Sequence, residues 1–259
     1  VERLFKVNST HTVLFHAVAG GVGLLACQWL KHLGAKIIGT AGTEKKAILA
    51  KQNGCDEVIL YKSENFVEKV KYLTNDIGVD VVYDGVGKDT AILGLDCLKP
   101  LGTMVVFGNS SGNCPPIDPG LLASKGSLFF TRPTLMTYGT KKKDLLHSSG
   151  RVFEMLSTNK IKLEINTSYN LSDVIKAHTD LELRKTFGSI VMKNDYWFIA
   201  EKKSSLFLED LSFSNKNSIA SVVPIGARIF LKINIFPNSS LSNNNSSFLV
   251  PDLAISNAG

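Results

Sequence analysis

The strongest chemical signal in the chain is a glycine cluster, His16-Ala17-Val18-Ala19-Gly20-Gly21-Val22-Gly23. Backbone without side chains can approach a pyrophosphate closely, and the free N–H groups and positive end of a following helix attract the anion. Gly20 allows that approach, and Gly23 lets the helix pack close to the sheet. With Ala17 three residues before Gly20, the pattern is A-x-x-G-x-x-G in place of G-x-G-x-x-G. An NAD site usually places an acid about twenty residues on, against the ribose hydroxyls. Here that segment reads Gly39-Thr40-Ala41-Gly42-Thr43-Glu44-Lys45-Lys46, with no acid at the strand tip. Hydroxyls and lysines can donate to a 2′-phosphate instead, which favours NADP(H).

Other titratable residues give weaker signals. His16 ends a strand and reads as packed, while His147 and His178 fall on helical patterns. Asp84 and Asp89 suit backbone hydrogen bonds at a loop and a helix start. None of these is assigned a catalytic role. The four cysteines, Cys27, Cys55, Cys97 and Cys114, lie at wide, irregular spacings with no Cys-x-x-Cys pair. That argues against a disulfide framework or a structural zinc site and fits a reducing cytoplasm.

The elements that must hold the glycine turn follow from periodicity. Thr12–His16 is a buried strand, and Gly21–Leu33 is a helix with Val22, Leu25, Ala26, Trp29, Leu30 and Leu33 at helical spacing. Strands follow at Lys36–Thr40, Val58–Tyr61, Asp80–Tyr83, Thr103–Phe107 and Ser127–Thr131. Helices are expected at Thr43–Asn53, Glu64–Thr74 and Asp89–Leu98. This alternation indicates an α/β doubly wound parallel sheet, the Rossmann fold. A further helix is expected at Lys142–Asn159, an extended piece at Ile165–Tyr169, a helix from Ser172 (as N-cap) to about Lys185, and a strand at Gly188–Met192.

The domain reading is the end of a connecting helix at 1–10, a dinucleotide-binding domain at 11–140, a C-terminal return at 141–192 and a tail at 193–259. The tail carries a different composition: Asn238–Ser247 is Ser and Asn but for Leu241. It is expected to be largely unpacked, although Leu206–Leu211 and Ile229–Ile235 could be strands. The 259 residues carry 29 Lys+Arg against 23 Asp+Glu, a formal +6. The excess is dispersed, with Lys141-Lys142-Lys143 the only basic triplet, which argues against a nucleic-acid stripe. No charged residue lies between Lys6 and Lys31. His11, His16 and Gln28 interrupt that run and three glycines break its centre, so it reads as strand, turn and helix rather than a membrane span.

The segments HAVAGGVGLLACQWLKHLGAKIIGTAGTEKKA, VDVVYDGVGKDT, LDCLKPLGTMVVFGNSSG, KGSLFFTRPTL and AHTDLELRKTFGS resemble the zinc-independent, ζ-crystallin-like quinone oxidoreductases of the medium-chain dehydrogenase/reductase superfamily. The likeness runs from about Leu4 to Met192. It implies NADPH-dependent hydride transfer to a quinone or another small electrophilic carbonyl compound, without zinc. By resemblance, Gly20, Gly21, Val22 and Gly23 would cradle the pyrophosphate. Thr43 and Lys46 would lie at the 2′-phosphate, and Tyr61 and Val86 on the adenosine side. Phe107, Gly108, Asn109, Ser110, Thr131 and Arg132 would follow the nicotinamide half, and Arg184 would approach from the last helix. The resemblance also implies a homodimer through the Ser127–Phe130 edge strand.

Full-length members carry an N-terminal barrel-like domain that this chain, opening on Val1, does not show. The expectation is therefore a fragment with weak NADPH binding and impaired quinone turnover. A catalytically silent NADP-binding module and a degenerate gene product with a foreign tail remain as alternatives.

Overall fold

The computed structural model describes residues 1–193, together with the backbone of Ser218–Ile225 and Arg228–Ile235. The chain alternates strand and helix in the order β1 (Thr12–Phe15), α1 (Gly21–His32), β2 (Lys36–Ala41), α2 (Glu44–Gln52), β3 (Glu57–Leu60) and α3 (Phe66–Leu73). There follow β4 (Val79–Asp84), α4 (Ala91–Leu95), β5 (Leu98–Val106), α5 (Pro119–Ser124) and β6 (Phe129–Thr131). These strands form one parallel sheet in the order β3-β2-β1-β4-β5-β6. Chain direction across the sheet reverses between β1 and β4, which opens a crevice at the carboxyl ends of those two strands.

Both faces of the sheet are covered, so the central strands are chiefly apolar. Val13 and Phe15 of β1 turn toward the face that holds Cys27, Leu30 and Ala47 of α1 and α2. Leu14, one residue out of phase, turns toward Phe66, Val70 and Leu95 of α3 and α4. His16 shares the phase of Leu14, because strand side chains alternate, and meets the Phe66 ring edge-on at 5.0 Å. Burying these side chains supplies the main stabilisation, at about 1.5–3 kcal/mol for each large apolar group.

The remaining chain completes the unit with α6 (Leu135–Gly139), α7 (Lys142–Ser157), β7 (Ile165–Asn170), α8 (Val174–Glu182) and β8 (Ser189–Lys193). β7 and β8 pair in parallel as a separate two-stranded sheet. Gly188, just before β8, forms a bridge with Gly20 and donates its N–H to the Ala19 carbonyl at 2.8 Å. The C-terminal return is thereby fastened onto the glycine turn. Gln28 of α1 ties the same region from the other side, donating to the Lys162 carbonyl at 3.1 Å and accepting from its N–H at 2.6 Å.

Several expectations change. β5 starts at Leu98, because Leu98 pairs with Val79 before a register shift, and this shortens α4 to five residues. The short helices α5 and α6 do not show in the periodicity; Asp118 and Thr134 cap them by accepting from Gly120 and Thr137. Ser172 is not a helix N-cap: it lies inside a 3-10 turn, Leu171–Asp173, and α8 starts at Val174. In the tail, Ser218–Ile225 and Arg228–Ile235 pair as antiparallel strands. The second of these includes the expected Ile229–Ile235. Leu206–Leu211 and the Ser/Asn stretch lie outside the described residues.

Candidate functional site

A cleft of about 1170 Å³ opens at the carboxyl edge of the sheet, where β1, β2 and β4 end. The glycine turn forms one wall. Gly20 is the N-cap of α1, with no side chain capping the helix and no acid in its first turn, so the first N–H groups face an uncompensated positive end. Gly23 is required on packing grounds, since a Cβ there would lie 2.7 Å from the Ala17 carbonyl oxygen and closer still to that of Val18. Val22 points outward and is exposed, so it contributes backbone only.

The second wall comes from β2, α2 and the strap leading into β8. Thr43 caps α2 by accepting from the Lys46 N–H at 3.4 Å. Lys46 then reaches across the cleft rim and donates to the Arg184 carbonyl at 2.7 Å. Burial is the largest influence on its ammonium, and the like charges of Lys62 and Arg184 add to it, so the Lys46 pKa falls below the ordinary lysine value. Three cations are therefore gathered at this rim, an arrangement that favours an anion with two charges. Arg184 sits in the left-handed region, φ 56°, which turns its carbonyl toward Lys46. Gly42 faces Tyr61: a Cβ at 42 would lie 2.8 Å from the tyrosine hydroxyl, so glycine keeps that ring on the cleft.

The β4 side is built around Asp84. Its buried carboxylate accepts from the Val86 and Gly87 N–H groups at 2.6 and 3.1 Å and from the Thr90 hydroxyl at 2.7 Å. The group is a turn-former, and it fixes Val86 on the cleft. His16 forms the floor. Its Nδ1 lies 3.1 Å from the Thr40 hydroxyl, which also accepts from the Ala17 N–H. Burial lowers the imidazole pKa to about 4, against the opposing pull of the Asp84 carboxylate, so it stays neutral at neutral pH. Its Nε2 has no hydrogen-bond partner.

The cleft brings together Gly20, Lys46, Tyr61, Val86, Ser110 and Arg184 from the expected set. Gly21, Val22 and Gly23 continue the turn into α1, and Thr43 acts as a helix cap. Phe107, Gly108, Asn109, Thr131 and Arg132 do not line this cleft; Thr131 ends β6, and the others lie beyond the ends of β5 and β6. Phe107 packs on Phe15 at 5.7 Å, and Gly108 is demanded by the Gly85 carbonyl 2.5 Å from its would-be Cβ. Asn109 and Arg132 are exposed. Sequence reading missed the lower cleft wall, Phe66, Val67 and Lys71 of α3 with Leu93 of α4. The α3 helix was legible, but which of its faces meets α4 depends on contacts distant in sequence. Among the described residues no group of three or more His, Cys, Asp or Glu is placed to hold a metal ion, and no helix is long and apolar enough to cross a membrane.

Comparison with known proteins places this geometry in a family. The family described as zinc-binding dehydrogenase matches residues 21–142. A quinone oxidoreductase of Pseudomonas aeruginosa is 43% identical over 192 residues, covering 74% of this chain and 59% of that protein. Quinone oxidoreductase 1 of Escherichia coli K12 is 44% identical, with the same coverage. Among solved structures, that of Escherichia coli quinone oxidoreductase complexed with NADPH superimposes with a TM-score of 0.71 at 45% identity, covering 73% of this chain and 59% of that one. The chain thus spans about three fifths of the length of these relatives.

Proposed function

We propose that residues 1–193, which belong to the zinc-independent quinone oxidoreductases of the medium-chain dehydrogenase/reductase superfamily, form the NADP(H)-binding part of a reductase that passes a hydride from NADPH to a quinone. The observation that carries this reading is the convergence of Lys46 and Arg184, with Lys62 nearby, at a cleft rim beside a glycine turn and without an acid at the strand tip. A 2′-phosphate is the part of NADPH that NADH lacks, and these cations are placed to receive it.

NADPH, when bound, supplies the hydride; the protein's part is to bind, orient and exclude water. Gly20, Gly21, Val22 and Gly23 offer backbone N–H groups to the pyrophosphate. Lys46 and Arg184 hold the phosphorylated ribose, with Thr43 fixing the first turn of α2. Tyr61 and Val86 flank the base. Phe107, Gly108, Asn109 and Ser110, with Thr131 and Arg132, serve the nicotinamide half. No side chain is assigned to proton transfer.

The nicotinamide side is open among the described residues, since Asn109, Ser110 and Arg132 face solvent. Slow turnover by this chain alone follows, because positioning and water exclusion are large parts of such a rate enhancement. Binding without turnover, the silent-module reading, rests on the same exposure. An NADPH-oxidation assay with 1,4-benzoquinone separates the two: quinone-dependent oxidation above the protein-free rate supports the reductase, and tight NADPH binding with none supports the module. A substrate range that includes other activated double bonds belongs to the reading as well, since a 2-haloacrylate reductase of a Burkholderia species is 39% identical over 74% of this chain.

Homodimerisation through Ser127–Phe130 fits the position of β6 at the sheet's end, where Phe129 is 60% exposed and an unpaired edge is available to a second copy. A cytoplasmic location fits the four free thiols.

A further inference from the structure

Ala17 takes the left-handed conformation, φ 55°, where the chain leaves β1 for the glycine turn. Apart from glycine, Asn and Asp enter that region most readily, because their short polar side chains bond locally. Alanine has no such group, so its conformation must be held by other residues. In an extended strand successive peptide groups point to opposite sides. Here the N–H groups of Ala17 and Val18 converge on one residue, Thr40, near the end of β2. Ala17 donates to the Thr40 hydroxyl at 3.2 Å, and Val18 donates to the Thr40 carbonyl at 3.1 Å. The turn then closes with Gly20 donating to the Ala17 carbonyl at 3.0 Å. Val18 folds back onto the sheet, fully buried, and a Cβ on Gly39 would lie 2.6 Å from its Cγ1.

We propose that Thr40 is a positioning residue for pyrophosphate binding: its hydroxyl holds Ala17 in the left-handed region, and through Ala17 it aims the first N–H groups of α1. The proposal rests on the NADP(H) reading above. The Thr40 hydroxyl is itself oriented, lying 3.1 Å from Nδ1 of His16 with both side chains buried. A hydroxyl donates one proton and offers two lone pairs, so it can accept from Ala17 and donate to the imidazole together. The backbone bond from Val18 is open to any residue at 40, whereas the bond from Ala17 needs a side-chain acceptor there. Positions 17 and 40 are therefore coupled. An alanine at 17 depends on the hydroxyl, while a glycine at 17 would enter the left-handed region at no steric cost. Thr40 acts through Ala17 rather than on the ligand.

The test is calorimetric titration of the whole chain with NADP⁺ across a set of variants, which needs no turnover. Thr40→Val keeps the side-chain shape and the Val18 bond but removes the hydroxyl, and should weaken NADP⁺ about fivefold, the worth of one hydrogen bond. Thr40→Ser returns the hydroxyl and should bring the affinity back to within about twofold of the parent. Ala17→Gly added to Thr40→Val should recover at least half of the loss on a logarithmic scale. The same glycine added to Lys46→Ala should recover none, since that loss lies at the 2′-phosphate. If Thr40→Val melts well below the parent, Thr40→Cys, with a weaker acceptor in the same place, carries the comparison. A loss that serine does not restore, or a glycine that improves both backgrounds alike, overturns the proposal. A parent chain that does not bind NADP⁺ removes the NADP(H) reading and this proposal with it. A parent that binds NADP⁺, with Thr40→Val at full affinity, removes this proposal alone.

Discussion

The two ends of the sheet's carboxyl edge are built differently. At the β1–β2–β4 end, the walls are fastened by bonds to the C-terminal return: Lys46 holds the Arg184 carbonyl, and Gly188 holds the Ala19 carbonyl, while Asp84 fixes the Val86 turn locally. At the β5–β6 end, the backbone after β5 is tied to the β4 loop, with Ser110 and Ser111 donating to the Gly85 and Val86 carbonyls, but the exposed side chains beyond it bond only near neighbours. Asn109 bonds Asn113, and Arg132 bonds the carbonyl of its own neighbour, Pro133. The first end is a walled, cationic cleft, and the second is a set of exposed side chains. For the proposed NADP(H) reading the difference means that the residues proposed for the adenosine half are enclosed in a cleft, whereas Asn109 and Arg132, proposed for the reacting half, are exposed among the described residues.

The sharpest way to break the walled end is Gly23→Ala. The added methyl meets the Val18 and Ala17 carbonyls, which are backbone and cannot swing aside. A loss of about 3 kcal/mol in a denaturant melt is expected, at the upper end of overpacking costs; an unchanged midpoint would mean that α1 is free to shift outward. Acid should weaken the same end by a comparable amount. His16 has a folded pKa of about 4, below its ordinary 6.5, so the unfolded chain binds the extra proton first as pH falls. Its contribution is intact above about pH 6.5 and is lost between there and pH 4, on the order of 3 kcal/mol. His16→Gln should flatten that part of the stability–pH curve, and a curve that keeps its slope would move the effect to other groups.

Smaller effects sharpen the contrast between the two ends. Lys46→Ala and Arg184→Ala should each weaken NADPH about tenfold, near 1.4 kcal/mol, with NADH changed less than twofold. Because burial, and after it the like charges of Lys62 and Arg184, lower the Lys46 pKa, preference for NADPH should decline on raising pH sooner than an ordinary lysine would dictate. Arg132→Ala, at the open end, should leave the affinity for 2′,5′-ADP within twofold; a tenfold loss would show that the two ends are not separable. Phe129→Lys should lower the solution mass toward that of a monomer, and an unchanged mass would place any dimer elsewhere.

The order of strands and helices was legible because each element carries its own period, and the A-x-x-G-x-x-G turn lies wholly within one local segment. The missing acid after Thr40 was legible for the same reason. The lower cleft wall of α3 and α4 was not, since nothing local says that Val67 will face Leu93. The early start of β5 was hidden because Leu98-Lys99-Pro100 reads as a helix end and a turn, and only pairing with Val79 makes it strand. Ser172 looked like a helix cap on residue type alone, but the chain makes a 3-10 turn there before α8 begins.

The central claim is that this chain distinguishes NADPH from NADH by the cations gathered at Lys46. Titrating the whole chain with each reduced cofactor and following nicotinamide fluorescence tests it most directly. NADPH should bind at least tenfold more tightly, with the difference collapsing in Lys46→Ala. Equal affinities for the two cofactors, or a preference that survives loss of Lys46, would contradict the account.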